Sequence, residues 1–406
     1  MQGHKLLATV TLYLCGVLQG FVMVGIPASS LFFKQGLGIT DDQYSQLFLP
    51  QLVMAIVGAF LGGWLYKRIG LPRLLTLGVL CNTLAQLFLY AASQSSAALV
   101  FWVLMAAAAS IGLGFGLCSA PLSTLPTFLF PQRAASAMVA LHTIVGIGFT
   151  LGPQFVSILV QAQHWPYFPL SIAGFGLCLL LSLLLLCQFP QGHQSEQAAS
   201  MSACVSENSA PWRHPLFAIG LSLAILYAFC ESTLSNWAVI FLNEEKQLSI
   251  ADASLALSGF WAGLTLGRLT VSALLTRFSA TQVWQILPAL MLLPFFLLNT
   301  IHGPMVGIAV FTLGGFACSG FFPLTIRVLS EVFPDYAEQM AAYVTAALMV
   351  GIGLGSYVIA PLRQLYTLPV VYQASVLYPL FMLFIVIFAV QRYVTRRNTA
   401  AQKSLN

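Results

Sequence analysis

Long apolar runs, most of them about 20 residues or longer, dominate the sequence. A membrane-spanning helix needs about 20 consecutive residues that are mainly apolar. Of the 406 residues only 7% are charged, whereas a soluble domain carries roughly 25%. The runs are also much longer than the alternating strands of about 10 residues in a membrane β-barrel. The sequence therefore excludes a soluble or disordered chain and predicts an all-α membrane protein.

Charges, prolines and glycines divide the apolar runs into twelve predicted spans. These cover residues 6–32, 44–66, 74–92, 98–128, 137–161, 167–189, 216–242, 251–275, 283–300, 305–330, 340–360 and 369–390. The first run is longer than the 7–15-residue core of a signal peptide, so we expect it to remain as a span. A polar segment then separates two sets of six runs. We expect an N-terminal six-helix bundle over 1–189, a cytoplasmic linker over 190–214, a C-terminal six-helix bundle over 215–391 and a cytoplasmic tail over 392–406.

The distribution of lysine and arginine predicts the orientation in the membrane. With the N-terminus inside, the inner loops and tails carry Lys5, Lys67, Arg68, Arg73, Arg133, Arg213, Arg277, Arg392, Arg396, Arg397 and Lys403. The outer loops then carry Lys34, Lys246 and Arg363, beside the acidic Asp41, Asp42, Glu244 and Glu245. Because inner loops are enriched in lysine and arginine, we expect a multi-pass protein of the bacterial inner membrane with both termini in the cytoplasm.

The two halves of the chain repeat one another. Gly148 and Gly152 correspond to Gly351 and Gly355, each pair being 203 residues apart, and Phe130-Pro131 corresponds to Phe333-Pro334 at the same distance. Six spans per half, with both halves starting on the same side, predict a parallel repeat. Such repeats place the substrate site near the middle of the membrane, between the halves.

Two segments carry a family resemblance that extends over essentially the whole chain. The loop from Gly63 to Leu71, with Leu65, Arg68 and Gly70, resembles the motif between spans two and three of the major facilitator superfamily, although Lys67 stands at its acidic position. The segment of span seven that contains Glu231 and ends in Asn236-Trp237 resembles the corresponding segment in the bacterial branch of this superfamily that is related to the fucose permease. The resemblance implies two pseudo-symmetric six-helix bundles and transport by alternating access.

Glu231 is the acidic residue placed deepest inside a predicted span. A charge in hydrocarbon costs about 3 kcal/mol or more, so this carboxyl must face the bundle interior, be paired or be neutral. Tyr227, Glu231 and Ser235 recur every four residues and form one polar stripe. We interpret Glu231, with Tyr227, as a proton carrier or substrate anchor; the alternative is a structural carboxyl that joins helices.

Several other polar or aromatic side chains within the spans are candidates for the substrate cavity. His142 could carry a proton or bind substrate, and Gln19 suits recognition of neutral groups by hydrogen bonds. The remaining candidates for proton coupling or substrate contact are Asn236, Trp237, Trp261 and Tyr343. By contrast, Trp64, Trp165 and Trp212 lie near span ends, where tryptophan anchors helices at the membrane interface.

A second set of residues is a candidate for gating. Arg68 and Gly70 belong to the loop motif, and Arg268 and Arg327 lie near the inner ends of spans eight and ten. Arg327 and Glu331 have the spacing of an ion pair on one helix face. With Asp335, Glu331 could pair with basic inner loops and close the cytoplasmic side; snorkelling to the interface is the alternative for the arginines.

No nucleotide-binding or hydrolase motif accompanies the spans. We expect no enzyme activity, cofactor, metal or nucleic-acid partner, and a protein that functions as a monomer in the lipid bilayer. The sequence predicts a secondary active transporter of a small polar solute or metabolite, coupled to protons. The alternatives are proton-driven efflux of drugs or metabolites, and a membrane sensor that has the same fold but does not transport.

Overall fold

Helices account for nearly all of the chain in the computed structural model, which describes residues 2–186 and 211–388. The predicted tail and residues 190–210 of the predicted linker lie outside these ranges. Within them, twelve helices are long and apolar enough to cross a membrane, which confirms the predicted number. Spans 1 to 6 are Lys5–Ala28, Asp41–Ile69, Leu71–Gln94, Ala97–Leu129, Ser136–Gln161 and Tyr167–Leu185. Spans 7 to 12 are Pro215–Asn236, Ile250–Leu274, Ala280–Thr300, Pro304–Val332, Gln339–Leu365 and Leu368–Phe388.

Local sequence signals set several of the span ends. Gly70, with a φ of 80°, ends span 2 and leads directly into span 3, a backbone conformation that glycine adopts without steric cost. Thr40 and Ser279 each form a capping box, with Gln43 and Gln282 respectively. These side chains satisfy backbone groups that a helix end leaves without partners.

Glycines bring helices into close contact at corresponding places in the two bundles. A Cβ atom on Gly58 of span 2 would lie 2.7 Å from the carbonyl oxygen of Leu113 in span 4. In the second bundle, Gly263 of span 8 contacts Thr312 of span 10 in the same way. Span 5 likewise packs on span 1, as span 11 packs on span 7. Small residues allow such close backbone approach within lipid.

The two bundles meet along two pairs of spans. Span 5 packs against span 8, where Gly146 contacts Thr265, and span 2 packs against span 11, where Leu52 contacts Gly353. Span 1 also contacts span 7, and a small gap at the second seam is lined by residues of spans 1, 2, 4 and 11.

Two spans are interrupted where the sequence predicts continuous runs. The α-helix of span 7 ends at Asn236, and Trp237 is followed by a short helix at Ala238–Ile240 and a π-helical turn at Phe241–Glu245. The prediction of one span over 216–242 is therefore too long at its end. Span 10 consists of two helices, Pro304–Cys318 and Phe321–Val332, joined at Ser319 and Gly320.

One of the three predicted interface anchors is wrong. Trp165 is fully buried; its indole nitrogen donates a hydrogen bond to Ser29 Oγ at 2.9 Å, and its ring stacks on Phe32. It therefore joins the end of span 1 to the loop before span 6. Trp64 and Trp212 are exposed, as anchors would be.

Candidate functional site

A cluster of ion pairs joins the two bundles on one side of the protein. The Lys34 ammonium lies 2.5 Å from a carboxylate oxygen of Asp41 and 2.5 Å from one of Glu244. Arg363 completes the cluster, at 2.7 Å from Asp41 and 2.6 Å from Glu244. We call these four residues the ionic latch, and the side of the protein that carries them the latch side. The latch closes this side because each cation binds an acid from each bundle.

Partial burial and two cations act in opposite directions on Glu244. Burial alone would raise the pKa of this carboxyl. Hydrogen bonds and charge from Lys34 and Arg363 outweigh burial, so the pKa of Glu244 lies below its usual range. Glu244 is consequently charged at neutral pH. Asp42 adds a further link between the bundles by accepting a hydrogen bond from Gln364 at 2.9 Å.

An aromatic contact lies directly beneath the latch. The hydroxyl of Tyr44, in span 2, donates a hydrogen bond to the carbonyl of Asn236 at 2.5 Å, and the Tyr44 ring packs edge-on against Trp237. Trp237 in turn donates to the carbonyl of Ser356 at 2.9 Å, and the Asn236 side chain donates to Ser356 Oγ at 2.7 Å. The structure thus places Asn236 and Trp237, both candidates for substrate contact, in the closed barrier of the latch side.

On the opposite side, a cavity of about 360 Å³ lies between spans 5, 8 and 10. We call this side the cavity side. The lining comprises Val139, His142, Thr143, Thr265, Arg268, Leu269, Val271, Ser272, Leu275, Gly320, Phe322, Pro323, Leu324 and Arg327. Its volume falls within the range of about 300–1,000 Å³ that is typical of small-molecule sites. The cavity combines one span of the first bundle with two of the second.

Three predicted candidates meet in this cavity. His142 enters from span 5, Arg268 from span 8 and Arg327 from span 10. Within the described part of the chain, no side chain forms a hydrogen bond or an ion pair with Arg268. Arg327 forms the predicted ion pair with Glu331 at 3.0 Å, with both side chains more than half exposed.

Glu231, on span 7, is not part of the cavity lining. Its carboxylate accepts a 2.5 Å hydrogen bond from the hydroxyl of Tyr227, which is buried and stacks on Phe321. Among the described residues no cation lies within ion-pair distance of Glu231, but Arg268 is close enough to act on its charge. The predicted stripe of Tyr227 and Glu231 therefore forms one hydrogen-bonded unit beside the cavity.

The other candidates for substrate contact lie apart from this unit. Trp261 stacks on Phe149 of span 5, with ring centroids 4.2 Å apart, and its buried indole nitrogen has no hydrogen-bond partner among the described residues. Gln19 is buried within the first bundle and accepts a hydrogen bond from Asn82 at 3.0 Å. Tyr343 packs edge-on against Phe217 inside the second bundle, so the structure does not bring it to the cavity.

Among the residues that the structure describes, the remaining gating candidates form no ion pair across the bundles on the cavity side. The Arg68 guanidinium lies 4.0 Å from the ring of Trp64 on its own helix. Gly70 shapes the turn between spans 2 and 3, and Asp335 is exposed in a short turn before span 11. The expected pairing of Glu331 or Asp335 with basic loops is absent from the described ion pairs.

A cofactor or metal site has no obvious ligands here. Among the residues described, no three His, Cys, Asp or Glu side chains form a group that could hold a metal ion. The polar chemistry available is therefore that of two guanidinium groups, an imidazole, hydroxyls and one deep carboxyl.

The ionic latch was not among the predicted gating residues, which remain candidates for the cavity side. Lys34 and Arg363 stand out in the sequence as basic residues in loops predicted to be outside. Asp41 lies in the same predicted loop as Lys34, and Glu244 lies in the predicted outer loop after span 7. The opposite charges in the predicted outer loops of the two halves are the sequence feature that could have indicated ion pairs between the bundles.

Comparisons with known proteins agree with the fold. A sequence model of the Major Facilitator Superfamily matches residues 12–249 and, in an overlapping second match, residues 220–405. The chain is 26% identical over 262 residues to Bypass of stop codon protein 6 of Saccharomyces cerevisiae, a match that spans 59% of this chain but only 51% of the yeast protein. It is 17% identical over 351 residues to the glucose/mannose transporter GlcP of Bacillus subtilis, covering 84% of each chain.

A solved structure extends this agreement to three dimensions. The D-xylose-proton symporter superposes with a TM-score of 0.72, covering 95% of this chain and 96% of the symporter, at 17% identity. At this identity the likeness concerns the arrangement of the helices. It matches the two six-helix bundles expected from the sequence.

Proposed function

Because this chain belongs to the Major Facilitator Superfamily, we propose that it is a secondary active transporter that moves a small polar solute by alternating access, coupled to protons. GlcP is named as a transporter and the superposed structure as a symporter, which supports a solute transporter rather than an enzyme. GlcP and the D-xylose-proton symporter are named for sugars, so a small metabolite is the favoured solute.

Alternating access is supported by one observation: the latch side is closed, whereas the other side has an open cavity. The ionic latch and the Tyr44–Trp237 contact hold the bundles together on the latch side. The cavity lies on the other side, between spans of different bundles. A second conformation, with the latch broken and the cavity side closed, would expose the site to the opposite compartment.

Glu231 is the proposed proton carrier. Its surroundings contain the hydroxyl of Tyr227, the guanidinium of Arg268 and the thiols of Cys230 and Cys318. A carboxyl that is mostly enclosed, accepts one hydrogen bond and lacks a direct counter-ion can exist in either protonation state. Movement of a proton on and off Glu231 would change the charge felt by Arg268, and so couple the proton to the cavity.

The moving bodies in this proposal are the bundles at 1–189 and 215–391, with the linker at 190–214 between them and a tail at 392–406. We place the latch side outside and both termini in the cytoplasm of a bacterium, following the lysine and arginine distribution. The gating candidates of the cavity side include Arg68 and Asp335. They would then close that side in the outward-open conformation. A monomer suffices, because both bundles belong to one chain.

Transport by purified protein in proteoliposomes tests the proposal. The panel contains glucose, mannose, xylose and short organic acids, with and without a proton gradient. We expect gradient-driven accumulation of at least one solute in the wild type. Glu231→Gln is expected to keep solute exchange but lose accumulation, whereas Glu231→Asp keeps part of it. Asp252→Asn serves as the control, because Asp252 lies in the first turn of span 8, away from the site, where its carboxylate accepts a hydrogen bond from the Ser249 hydroxyl.

Some results would contradict the proposal, and one would assign the direction of transport. Accumulation that is indifferent to the proton gradient, or unchanged in Glu231→Gln, would exclude Glu231 as the proton carrier. Binding of a solute without flux in either direction would favour a sensor instead. Flux outward against a solute gradient would assign the direction to efflux.

A further inference from the structure

We propose that the cavity binds an organic anion with an apolar body, and that Arg268 is the residue that binds its acidic group. This inference deepens the proposed function by naming a class of solute, and it rests on the same cavity. Sugars, for which GlcP and the D-xylose-proton symporter are named, carry no such charge.

The first support is the charge of the lining. The cavity presents the guanidinium groups of Arg268 and Arg327 and the imidazole of His142, and none of its lining residues is Asp or Glu. Arg327 is partly neutralised by Glu331. Arg268 is partly buried and has neither a hydrogen-bond nor an ion-pair partner among the residues described. A guanidinium group with free donors binds carboxylate or phosphate through two parallel hydrogen bonds.

The break in span 10 adds a second, independent attraction for an anion. The helix Phe321–Val332 begins at Gly320, part-way along the span. Gly320, Phe322, Pro323 and Leu324 all line the cavity, so the first turn of this helix faces it. The N-terminus of a helix carries about half a positive charge, which favours anions. In this first turn Pro323 supplies no N–H, so the backbone donors are those of its neighbours.

The remaining walls indicate an apolar body on the same molecule. Val139, Leu269, Leu275 and Phe322 supply aliphatic and aromatic surface around the polar groups. A volume of about 360 Å³ suits a small molecule. An aromatic or medium-chain carboxylate would place its ring or chain on these residues and its carboxylate on Arg268.

The position of Arg268 also relates the anion to the proposed proton. Arg268 acts electrostatically on Glu231, whose other neighbours are Tyr227, Cys230 and Cys318. His142 lies on the opposite wall and is within electrostatic range of Arg268. When Glu231 is charged, its carboxylate and the anionic solute are both attracted to the guanidinium of Arg268. When Glu231 is protonated, the guanidinium attracts the solute alone.

Ligand binding to the purified full-length protein tests the inference without any requirement for flux. The probes are benzoate and hexanoate, each compared with its neutral amide, in lipid nanodiscs of phosphatidylcholine. Binding is followed by thermal stabilisation and by tryptophan fluorescence. We expect the acids to bind about tenfold or more tightly than the amides, as a charge-assisted bidentate contact predicts.

Variants identify the residue. Arg268→Gln is expected to lose this preference, and Arg268→Lys to keep part of it. Arg277→Gln is the matched control, because Arg277 is an exposed arginine just beyond span 8 and is expected to bind like the wild type. The melting temperature of each variant without ligand shows whether it is folded.

The outcomes separate the inference from the proposed function. Equal binding of acids and amides, or full acid binding by folded Arg268→Gln, would overturn the inference even if a neutral solute is transported. Acid binding without flux would support the anion site and contradict transport. Nanodiscs that also contain phosphatidylglycerol test whether the anion is a lipid. If this lipid stabilises the wild type but not Arg268→Gln, the site binds the same kind of anionic group, and a lipid headgroup is its ligand.

Discussion

Lys34 and Glu244 lie 210 positions apart in the sequence, yet their charged groups are 2.5 Å apart in the structure. Lys34 follows span 1 and Glu244 follows span 7, which are corresponding spans in the two bundles. Arg363 repeats this link from span 11 to Asp41 at the start of span 2. The two cations therefore bind the same two acids and close the latch side from both bundles.

Breaking the latch should open this side. The probe is Phe48→Cys in a background without other cysteines, because position 48 lies beneath the latch and is only 2% exposed. We expect Arg363→Gln to increase the rate at which a water-soluble maleimide labels this cysteine. A partly exposed ion pair contributes up to about 1 kcal/mol, which is a factor of about five in the population of the open state. Arg277→Gln should leave the rate unchanged. An unchanged rate in Arg363→Gln would show that the latch does not hold the bundles together.

The latch should respond to acid only at low pH. The pKa of Glu244 is lowered when the latch is closed, so charge on Glu244 favours closure. This stabilisation is complete above the ordinary glutamate pKa of about 4.3 and is lost as the pH falls through the lowered value. Lys34, Arg363, Asp41 and Glu245 are the charged groups nearest to it.

Spin labels on Thr40→Cys and Gln247→Cys, which lie in exposed loops of different bundles, can measure this response. We expect a constant distance from pH 7 down to about 4.3 and a longer distance below it. Glu244→Gln should lengthen the distance already at pH 7 and weaken its dependence on pH. A change between pH 7 and 5 would exclude Glu244 as the titrating group.

Removal of one hydroxyl beneath the latch should destabilise the second bundle. Ser356→Ala takes away the acceptor of the buried Asn236 amide, which binds Ser356 Oγ at 2.7 Å. An unsatisfied buried polar group costs about 1–3 kcal/mol, so the melting temperature in detergent should fall. Ser123→Ala is the control, because that hydroxyl is exposed and binds its own helix. Equal melting temperatures for both variants would contradict this role of Ser356.

Close helix packing should depend on particular glycines rather than on all of them. A Cβ atom on Gly58 would lie 2.7 Å from the Leu113 carbonyl oxygen, whereas one on Gly63 would meet nothing within 4 Å. Gly58→Ala should therefore force spans 2 and 4 apart and destabilise the protein by about 1–3 kcal/mol. Gly63→Ala should be close to neutral. Thermal unfolding of the two variants checks the difference, and similar losses in both would contradict the close contact.

Features that depend on the solvent and on local pattern could be predicted from the sequence. The twelve spans follow from apolar length alone, and most predicted ends lie within about three residues of the observed ones. The Arg327–Glu331 pair follows from helix geometry, since both residues share one face. The stripe of Tyr227 and Glu231 follows from the same spacing and forms a hydrogen bond.

Features that depend on contacts between distant segments could not be predicted. Trp165 looks like an interface anchor by its position, but a hydrogen bond to Ser29 holds it inside. Span 7 is interrupted at Trp237, whose ring packs on Tyr44 and donates a hydrogen bond to the carbonyl of Ser356, from two other spans. The cavity combines His142 and Arg268 from different bundles, and no local spacing relates these two residues.

The distances across both sides of the protein test alternating access most directly. One pair of spin labels, Thr40→Cys and Gln247→Cys, reports on the latch side; a second pair, Gln132→Cys and Thr276→Cys, reports on loops of different bundles on the cavity side. We predict that Arg363→Gln, or a transported solute, lengthens the first distance and shortens the second. Distances that do not change, or that lengthen together, would contradict alternating access by these two bundles.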